Sequence, residues 1–283
     1  MMCAKCIKKV KMMISTDSRV LHVIDVLTPG SGVANVVMNC VAGIPQFKQD
    51  VAIYEQCSAE MEETIEIHGG RVYRLPDITK TLGKHFRKAF SQLLQKQPYT
   101  IVHGYLLNSA FIYLQEAKRL GVPHRIIHAH SVVGADILAK RVRNSILSVG
   151  ISCWANEYIS VSKAAGQSVF GRNRKDVSII RNGIDCARFR YNPEVRREVR
   201  LELGLADDVI DVGNLARFAG LKNHNFLIEV FRDMHKRTKC TLILVGQGSL
   251  EGDIKTRIKS TRLSDCVQFL GARQDVERIV SSF

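Results

Sequence analysis

Residues 19–32 read Arg-Val-Leu-His-Val-Ile-Asp-Val-Leu-Thr-Pro-Gly-Ser-Gly, and this stretch decides the expected fold. Residues 19–27 form a nearly continuous apolar run, which is typical of a strand buried on both faces of a sheet. The turn Gly30-Ser31-Gly32 follows, and apolar residues at helical spacing begin at Val33. A strand, a glycine loop and a helix in this order predict the opening of a nucleotide-binding α/β domain.

The same alternation continues along most of the chain. Strands and helices with short connections run through residue 162, including one long helix expected at residues 137–154, and they predict a doubly wound parallel sheet. A second α/β series begins near residue 177, with fewer strands than a complete half of this type. Its strand at residues 241–245 would therefore lie near an unfinished sheet edge.

These patterns divide the chain into three parts. We predict an N-terminal extension at residues 1–18 and a first Rossmann-like domain at residues 19–170. A second, incomplete Rossmann-like domain follows at residues 171–283, after a polar and basic segment that looks like a crossing point.

The composition limits the classes of function. The 283 residues contain no apolar run long enough to span a membrane. The net charge of +14 favours an anionic partner, either nucleic acid, an acidic membrane surface or a phosphorylated substrate. Basic residues are spread over both halves without aromatic residues interleaved among them, which argues against nucleic acid. The scattered cysteines suit a reduced, cytoplasmic protein, and the pair Cys3 and Cys6 lacks a second pair at metal-ligand spacing.

One expected helix raises the question of a membrane partner. Residues 80–97 predict a basic amphipathic helix with Leu82, Phe86 and Phe90 on one side and lysines and arginines elsewhere. It could be an ordinary surface helix with a solvated basic face, or it could adsorb onto anionic lipid. The sequence leaves both interpretations open.

A second strand–helix junction carries two basic residues. Residues 212–225 read Val-Gly-Asn-Leu-Ala-Arg-Phe-Ala-Gly-Leu-Lys-Asn-His-Asn, and an amphipathic helix follows. The free N–H groups and the dipole of a helix N-terminus favour anions, and Arg217 and Lys222 would add two positive charges there. The spacing alone fits either a pyrophosphate-sized anion or a polar surface turn after a buried strand.

Several motifs occur in an order shared with a known family. They are the strand and loop at residues 19–32, Ile127-His128-Ala129-His130-Ser131, Asn182-Gly183-Ile184-Asp185, residues 213–225 and Val245-Gly246-Gln247-Gly248. Together they resemble family 4 of the retaining, sugar-nucleotide-dependent glycosyltransferases, whose GT-B fold has two Rossmann-like domains facing a cleft. The resemblance covers residues 19–283 and is nearest to bacterial members that build capsular polysaccharide or exopolysaccharide.

The resemblance implies roles for individual residues in donor binding. Arg217 and Lys222 match the family's basic pair on the diphosphate of a nucleotide-sugar, expected to be a UDP-sugar, and Gly213 belongs to the same donor-binding motif. The loop Gly30-Ser31-Gly32 matches the one that lets the backbone approach the donor phosphate. A basic pair can neutralise the leaving group without a metal ion, so the resemblance implies no cofactor.

Histidines are the catalytic candidates that the resemblance implies. His130 matches best the family's histidine near the transferred sugar, and His128 should point the same way from two residues earlier on an extended segment. His103, at the end of another strand, would lie on the acceptor side of the same cleft. Each could instead be satisfied within the fold, and for His103 that interpretation is favoured.

The implied activity is transfer of a sugar to a saccharide or lipid-linked acceptor with retention, in a cytoplasmic enzyme that could lie at the inner face of the plasma membrane. The family's Glu-x7-Glu donor motif would fall after Phe283. An inactive, truncated remnant is therefore the alternative. A nicotinamide-dependent oxidoreductase would need a GxGxxG motif, and Gly30-Ser31-Gly32 lacks its third glycine.

Overall fold

The computed structural model describes residues 18–132, 151 and 153–283, and the chain divides into two compact units, Met1–Ile184 and Asp185–Phe283. The predicted helix at residues 137–154 lies almost entirely outside the described residues. The same holds for the expected N-terminal extension at residues 1–18, with its Cys3 and Cys6. Among the described helices, none is both long and apolar enough to cross a bilayer.

The first unit is built around a parallel sheet. Seven of its described strands pair in the order β3-β2-β1-β4-β5-β6-β7, and every neighbouring pair is parallel. They are β1 (Arg19–Val23), β2 (Lys48–Ile53), β3 (Val72–Arg74), β4 (Ile101–Gly104), β5 (His124–Ala129), β6 (Glu157–Ser160) and β7 (Val177–Ile179). The order reverses between β1 and β4, and open α/β sheets bind ligands at the carboxyl ends of the strands beside such a reversal.

Helices pack on both faces of this sheet. They are α1 (Gly32–Gly43), α2 (Ala59–Ile67), α3 (Lys84–Lys96), α4 (Ala110–Arg119) and α5 (Lys163–Phe170), with short 3-10 helices at Lys80–Gly83 and Leu107–Ser109. Leu21 and Val102 face the core that α3 and α4 cover, whereas Val51 and Ile53 face the core that α1 and α2 cover. The doubly wound parallel sheet expected from the alternation of strands and helices is therefore confirmed.

The basic helix differs from its prediction in one respect. Its apolar side chains, Phe86 and Phe90 among them, are buried in the core of the first unit. Leu82, expected on the same side, is instead 88% exposed, because Thr81 and Leu82 adopt positive φ angles and interrupt the helix. Only the basic side of α3 and the Leu82 side chain remain exposed.

The second unit holds a smaller parallel sheet. Its described strands are β8 (Ile210–Leu215), β9 (Cys240–Val245) and β10 (Val267–Gly271), in the order β10-β9-β8. Its helices are α6 (Pro193–Glu202), α7 (His224–His235), α8 (Glu251–Ser260) and α9 (Val276–Val280), with 3-10 helices at Gly220–Lys222 and Ser264–Cys266. Strand β9, which holds residues 241–245, is the middle one of these three strands and so lies next to an edge strand on each side, as predicted. It pairs on both sides, and Leu242, Leu244 and Val245 are buried.

Strand β7 also falls in a different place from the one expected. The predicted boundary at residue 170 assigned it to the second half of the chain, but Val177 pairs with Tyr158 of β6 and extends the first sheet. The division between the two units lies between Ile184 and Asp185. Backbone pairing decides which sheet a three-residue strand joins. Local hydrophobicity does not indicate the pairing partner.

Candidate functional site

Three neighbouring strands of the first unit place a histidine on the same face of the sheet. His22 of β1 lies opposite His103 of β4, and His128 of β5 lies two residues beyond Ile126, the partner of His103. Residues two apart on a strand share a face, so these rings form a histidine row on β1, β4 and β5. The row spans the point where the strand order reverses, at the carboxyl side of an apolar row on the same strands, formed by Val20, Ile101 and Ile126.

Tyr105, which follows β4, links the rings of the histidine row. Nε2 of His22 lies 3.0 Å from Oε1 of Gln49, and Nδ1 of His22 lies 3.3 Å from the Tyr105 hydroxyl. The same hydroxyl lies 3.3 Å from Nδ1 of His103, and Nε2 of His103 lies 3.2 Å from Nδ1 of His128. All these side chains are buried, and both ring nitrogens of His103 are engaged within the fold.

The row ends in two imidazole nitrogens that the described residues leave unpaired. Nε2 of His128 and Nε2 of His130 are buried and have no hydrogen-bond partner in the described part of the chain. The two ring centroids are 4.0 Å apart. Because an unpaired buried polar group costs free energy, each such group calls for an explanation, and an absent ligand is one.

Burial keeps these histidines neutral. Desolvation lowers the pKa of His22 to about 4 and that of His130 to about 4. Desolvation, with repulsion from His130 and His22, lowers the pKa of His128 to about 2. The pKa of His103 is lowered well below its ordinary value, chiefly by burial. A neutral imidazole has one donor and one acceptor nitrogen, so the row acts through hydrogen bonds rather than positive charge at neutral pH.

The loop Gly30-Ser31-Gly32 after β1 has free space beside both of its glycines. Ser31 caps α1, since its Oγ accepts a hydrogen bond from the Ala34 N–H at 3.3 Å. A β-carbon added at Gly30 or Gly32 would meet no atom within 4 Å, and neither residue has a positive φ. Packing within the fold therefore does not require glycine at these two positions, and their backbone is accessible to a ligand.

In the second unit, the segment between β8 and α7 carries two exposed cations. Arg217 follows the end of β8, and Lys222 closes the 3-10 helix that leads into α7. Both side chains are exposed, neither forms an ion pair within the described ranges, and the first turn of α7 has no acidic residue. Uncompensated positive charge at the N-terminus of a twelve-residue helix fits an anion.

Two glycines bring the loop after β9 against the loop after β8. A β-carbon at Gly246 would lie 2.2 Å from the carbonyl oxygen of Ala216, and one at Gly248 would lie 2.4 Å from that of Phe218. Gly246 also has a φ of +137°, which other residues rarely adopt. The two loops thus form one surface at the carboxyl edge of the small sheet. Both glycines belong to the motif Val245-Gly246-Gln247-Gly248, whose sequence alone predicts no role for them.

Gly213 lies apart from this junction. It pairs with Ile243 inside β8, and a β-carbon there would lie 1.9 Å from Cε2 of Phe283. Close packing against that ring is sufficient reason for glycine at this position. Arg217 and Lys222 thus both belong to the segment between β8 and α7, whereas Gly213 lies inside β8.

His224 is a polar residue of this junction that the sequence patterns did not single out. It is the first residue of α7 and is 3% exposed, and among the described residues neither ring nitrogen has a hydrogen-bond partner. Its ring centroid lies 4.9 Å from that of Phe218. Burial, with the charge of Lys222 nearby, lowers the pKa of His224.

His22, Gln49 and Tyr105 also escaped the sequence patterns. His22 lies within the largely apolar strand β1, Gln49 lies in the polar first half of β2, and Tyr105 directly follows β4. The available signal, for His22 alone, was a polar residue at an inward position of an otherwise apolar strand. Such a signal shows that the residue is buried without showing what it contacts.

Comparisons with known proteins indicate the family of the chain. The model of Glycosyltransferase Family 4 matches residues 30–188, and that of Glycosyl transferases group 1 matches residues 195–282. EpsF of Bacillus subtilis (strain 168), which is named as a glycosyltransferase, is 28% identical over 279 residues, or 95% of this chain and 72% of that protein.

Solved structures share the fold. HepE of Anabaena, in complex with UDP and glucose, matches with a TM-score of 0.78 at 16% identity, over 94% of this chain and 72% of HepE. WaaG, a glycosyltransferase involved in lipopolysaccharide biosynthesis, matches with a TM-score of 0.64 at 15% identity, over 92% of this chain and 72% of WaaG. At these identities the likeness shows the GT-B type of fold alone. Since the family model covers more than half of its residues, the chain belongs to glycosyltransferase family 4.

Proposed function

We propose that this glycosyltransferase transfers a sugar from a UDP-sugar to a saccharide or lipid-linked acceptor, with retention at the anomeric carbon, in the synthesis of a cell-surface polysaccharide. The observation that carries the proposal is the pair Arg217 and Lys222, exposed and unpaired among the described residues beside the N-terminus of α7. The leaving group of such a transfer is a nucleoside diphosphate, and fixed cations stabilise the charge that develops on it.

The relatives support the donor and the kind of product. HepE was solved with UDP and with UDP-glucose, which supports uridine as the base. The role of WaaG in lipopolysaccharide biosynthesis supports a cell-surface glycan.

Each proposed site residue has a physical role. Arg217 places a planar fork on two phosphate oxygens, and Lys222 supplies a point charge, so that the diphosphate can leave without a metal ion. The open backbone at Gly30-Ser31-Gly32 leaves room for a phosphate. His130 and His128 use their unpaired Nε2 atoms for hydroxyl groups of the transferred sugar.

Nucleotide binding tests the proposal directly. UDP at about a hundred times its Kd stabilises the native state by about 2.7 kcal/mol. For a unit of about a hundred residues, this raises the melting temperature by about 10 °C or more. Lys222→Ala should abolish that shift, whereas the matched control Lys259→Ala, which removes an exposed lysine of α8, should retain it. The proposal fails if neither UDP, GDP, ADP nor UDP-glucose changes the melting temperature.

The stereochemistry and the metal requirement need a second experiment. Incubation with UDP-glucose and a lipid-linked or oligosaccharide acceptor should yield an α-linked product by NMR, since the donor is α-linked. Addition of EDTA should leave the rate unchanged, because Arg217 and Lys222 carry out the neutralisation. A β-linked product would contradict retention, and complete loss of activity with EDTA would contradict a metal-independent mechanism.

The last part of the proposal is that the basic side of α3 contacts an anionic membrane surface. The basic side of α3 is exposed, and the preceding Leu82 projects into solvent. Binding should be stronger to vesicles containing phosphatidylglycerol than to pure phosphatidylcholine, and it should weaken with salt. Equal sedimentation with both kinds of vesicle would exclude this contact, and Leu82→Ser should weaken binding if the leucine inserts.

A further inference from the structure

The amide of Gln49 has only one favourable orientation. Its Nε2 donates to two backbone carbonyl oxygens at the end of α1, those of Cys40 at 2.9 Å and Ile44 at 3.2 Å. Turning the amide over would set its oxygen against both carbonyls, with no hydrogen between them. The Oε1 atom of Gln49 therefore faces His22, and it can only accept a hydrogen bond.

This orientation fixes the proton positions of the next two groups. Because Oε1 of Gln49 accepts, Nε2 of His22 must carry the proton, and Nδ1 of the same neutral ring is then an acceptor. The Tyr105 hydroxyl lies against that Nδ1 and donates to it. With its single proton used in this way, the hydroxyl accepts from Nδ1–H of His103.

The proton positions of His103 and His128 follow in the same way. His103 carries its proton on Nδ1, so its Nε2 is an acceptor, and Nδ1–H of His128 donates to it. His128 thereby has its proton on Nδ1, and its Nε2 is a bare acceptor, buried and without a partner in the described chain. Each ring is neutral for the reason given above, so no second proton enters the series.

We propose that Gln49, His22, Tyr105 and His103 are positioning residues that set the tautomer of His128, so that its Nε2 is a fixed hydrogen-bond acceptor for a hydroxyl group of the sugar. The choice of a sugar as the ligand rests on the proposed function, whereas the tautomer rests on the hydrogen bonds alone. The proposal also separates the two candidate histidines. His128 accepts from the hydroxyl, while no described group fixes the proton of His130.

The positioning residues would act on sugar binding without touching the sugar. If the tautomer of His128 were free to change, part of the population would present Nε2–H and could not accept from a hydroxyl. Fixing Nε2 of His128 as an acceptor removes the molecules that carry the other tautomer. The site then favours a sugar with a hydroxyl group facing Nε2 over the analogue that lacks this hydroxyl. Gln49 exerts this effect from the far end of the series.

Nitrogen-15 NMR of histidine-labelled protein reads the tautomer without any substrate. In the unaltered chain, Nε2 of His128 should resonate as an unprotonated nitrogen, far downfield of its protonated Nδ1. Gln49→Met keeps the length of the side chain but removes the fixed acceptor, and Tyr105→Phe keeps the ring but removes the linking hydroxyl. Each should raise the minor tautomer of His128 at least tenfold, whereas Gln56→Met, at an exposed position, should change nothing.

The outcomes separate this inference from the proposed function. A protonated Nε2 of His128 in the unaltered chain overturns the inference, and so does an unchanged tautomer in a folded Tyr105→Phe protein. If Gln49→Met fails to fold, Tyr105→Phe and the unaltered chain still decide the matter. Absence of turnover with UDP-glucose would count against the proposed function alone, because the NMR signals need no nucleotide.

Discussion

Acidification should destabilise the first unit, because its histidine row is buried in the neutral form. The folded pKa is about 4 for His22 and about 2 for His128, against about 6.5 in an unfolded chain. A histidine whose pKa is lowered by folding takes up its proton first in the unfolded chain. Stability is therefore complete above pH 6.5 and is lost as the pH falls from there toward the folded pKa values.

The size of the loss follows from the same values. At pH 5 the unfolded chain holds nearly one proton at each of these two histidines, and the folded unit excludes both, which costs about 2 kcal/mol per residue. His103 and His130 are shifted in the same direction and add to the loss, so about 4 kcal/mol is its lower bound. Since a whole domain is stable by about 5–15 kcal/mol, a loss of about 4 kcal/mol should be plainly measurable.

Trp154 offers a probe confined to the first unit. It is the single tryptophan of the chain, and it packs against the core beneath α3 and α4. Urea titrations followed by its fluorescence at pH 7.5 and pH 5.0 should differ by at least about 4 kcal/mol in the free energy of unfolding. His22→Gln should reduce that difference by about 2 kcal/mol, because one excluded proton is removed. His85→Gln, on the exposed side of α3, should leave it unchanged.

Two results would refute the reasoning. Equal free energies of unfolding at the two pH values would mean that the folded row accepts protons and is not held neutral by burial. An unchanged pH dependence in His22→Gln would mean that the protons are taken up elsewhere in the chain. The comparison is made between pH values within each variant, so a uniform loss of stability in the variant does not affect it.

Three further predictions concern the second unit, each measured by urea denaturation followed by circular dichroism. Gly248→Ala should lose about 1–3 kcal/mol, because the new β-carbon meets backbone, whereas Gly252→Ala in α8 has open space and should be neutral or stabilising. His224→Phe should gain about 1 kcal/mol by removing two unpaired nitrogens, and a reduced thermal shift with UDP would show that the imidazole serves the ligand. Asp211→Ala should cost about 3–5 kcal/mol by removing the buried carboxylate that pairs with Arg200, and little loss would mean that the backbone carbonyls of Ala206, Val209 and Ser282 and the exposed Asp207 satisfy the guanidinium.

Local patterns were sufficient for the type of fold but not for the placement of every strand. Apolar runs such as residues 19–27 and 241–245 are buried on both faces, and burial of that kind shows in the sequence. Whether a strand is central or at an edge depends on partners far along the chain. That dependence explains why β7 was assigned to the second half.

Site residues that form a local pattern were predicted from the sequence, whereas those that depend on distant partners were missed. Arg217 and Lys222 lie five positions apart at one strand–helix junction, so a short stretch of sequence contains their pattern. The hydrogen bond between His22 and Tyr105 joins residues 83 positions apart. It exists only because β1 and β4 become neighbours when the strand order reverses, and no local spacing encodes that reversal.

The apolar row and the histidine row together indicate what the histidines are for. Val20, Ile101 and Ile126 occupy the same face of the same strands, one step toward the amino ends, and they form an apolar cluster. The face therefore accepts aliphatic side chains, and aliphatic residues at the next step would avoid both the unpaired Nε2 atoms and the loss of stability in acid. Folding alone does not favour His22, His103 and His128. Their position at the carboxyl ends beside the strand reversal, where open α/β sheets meet their ligands, accounts for them.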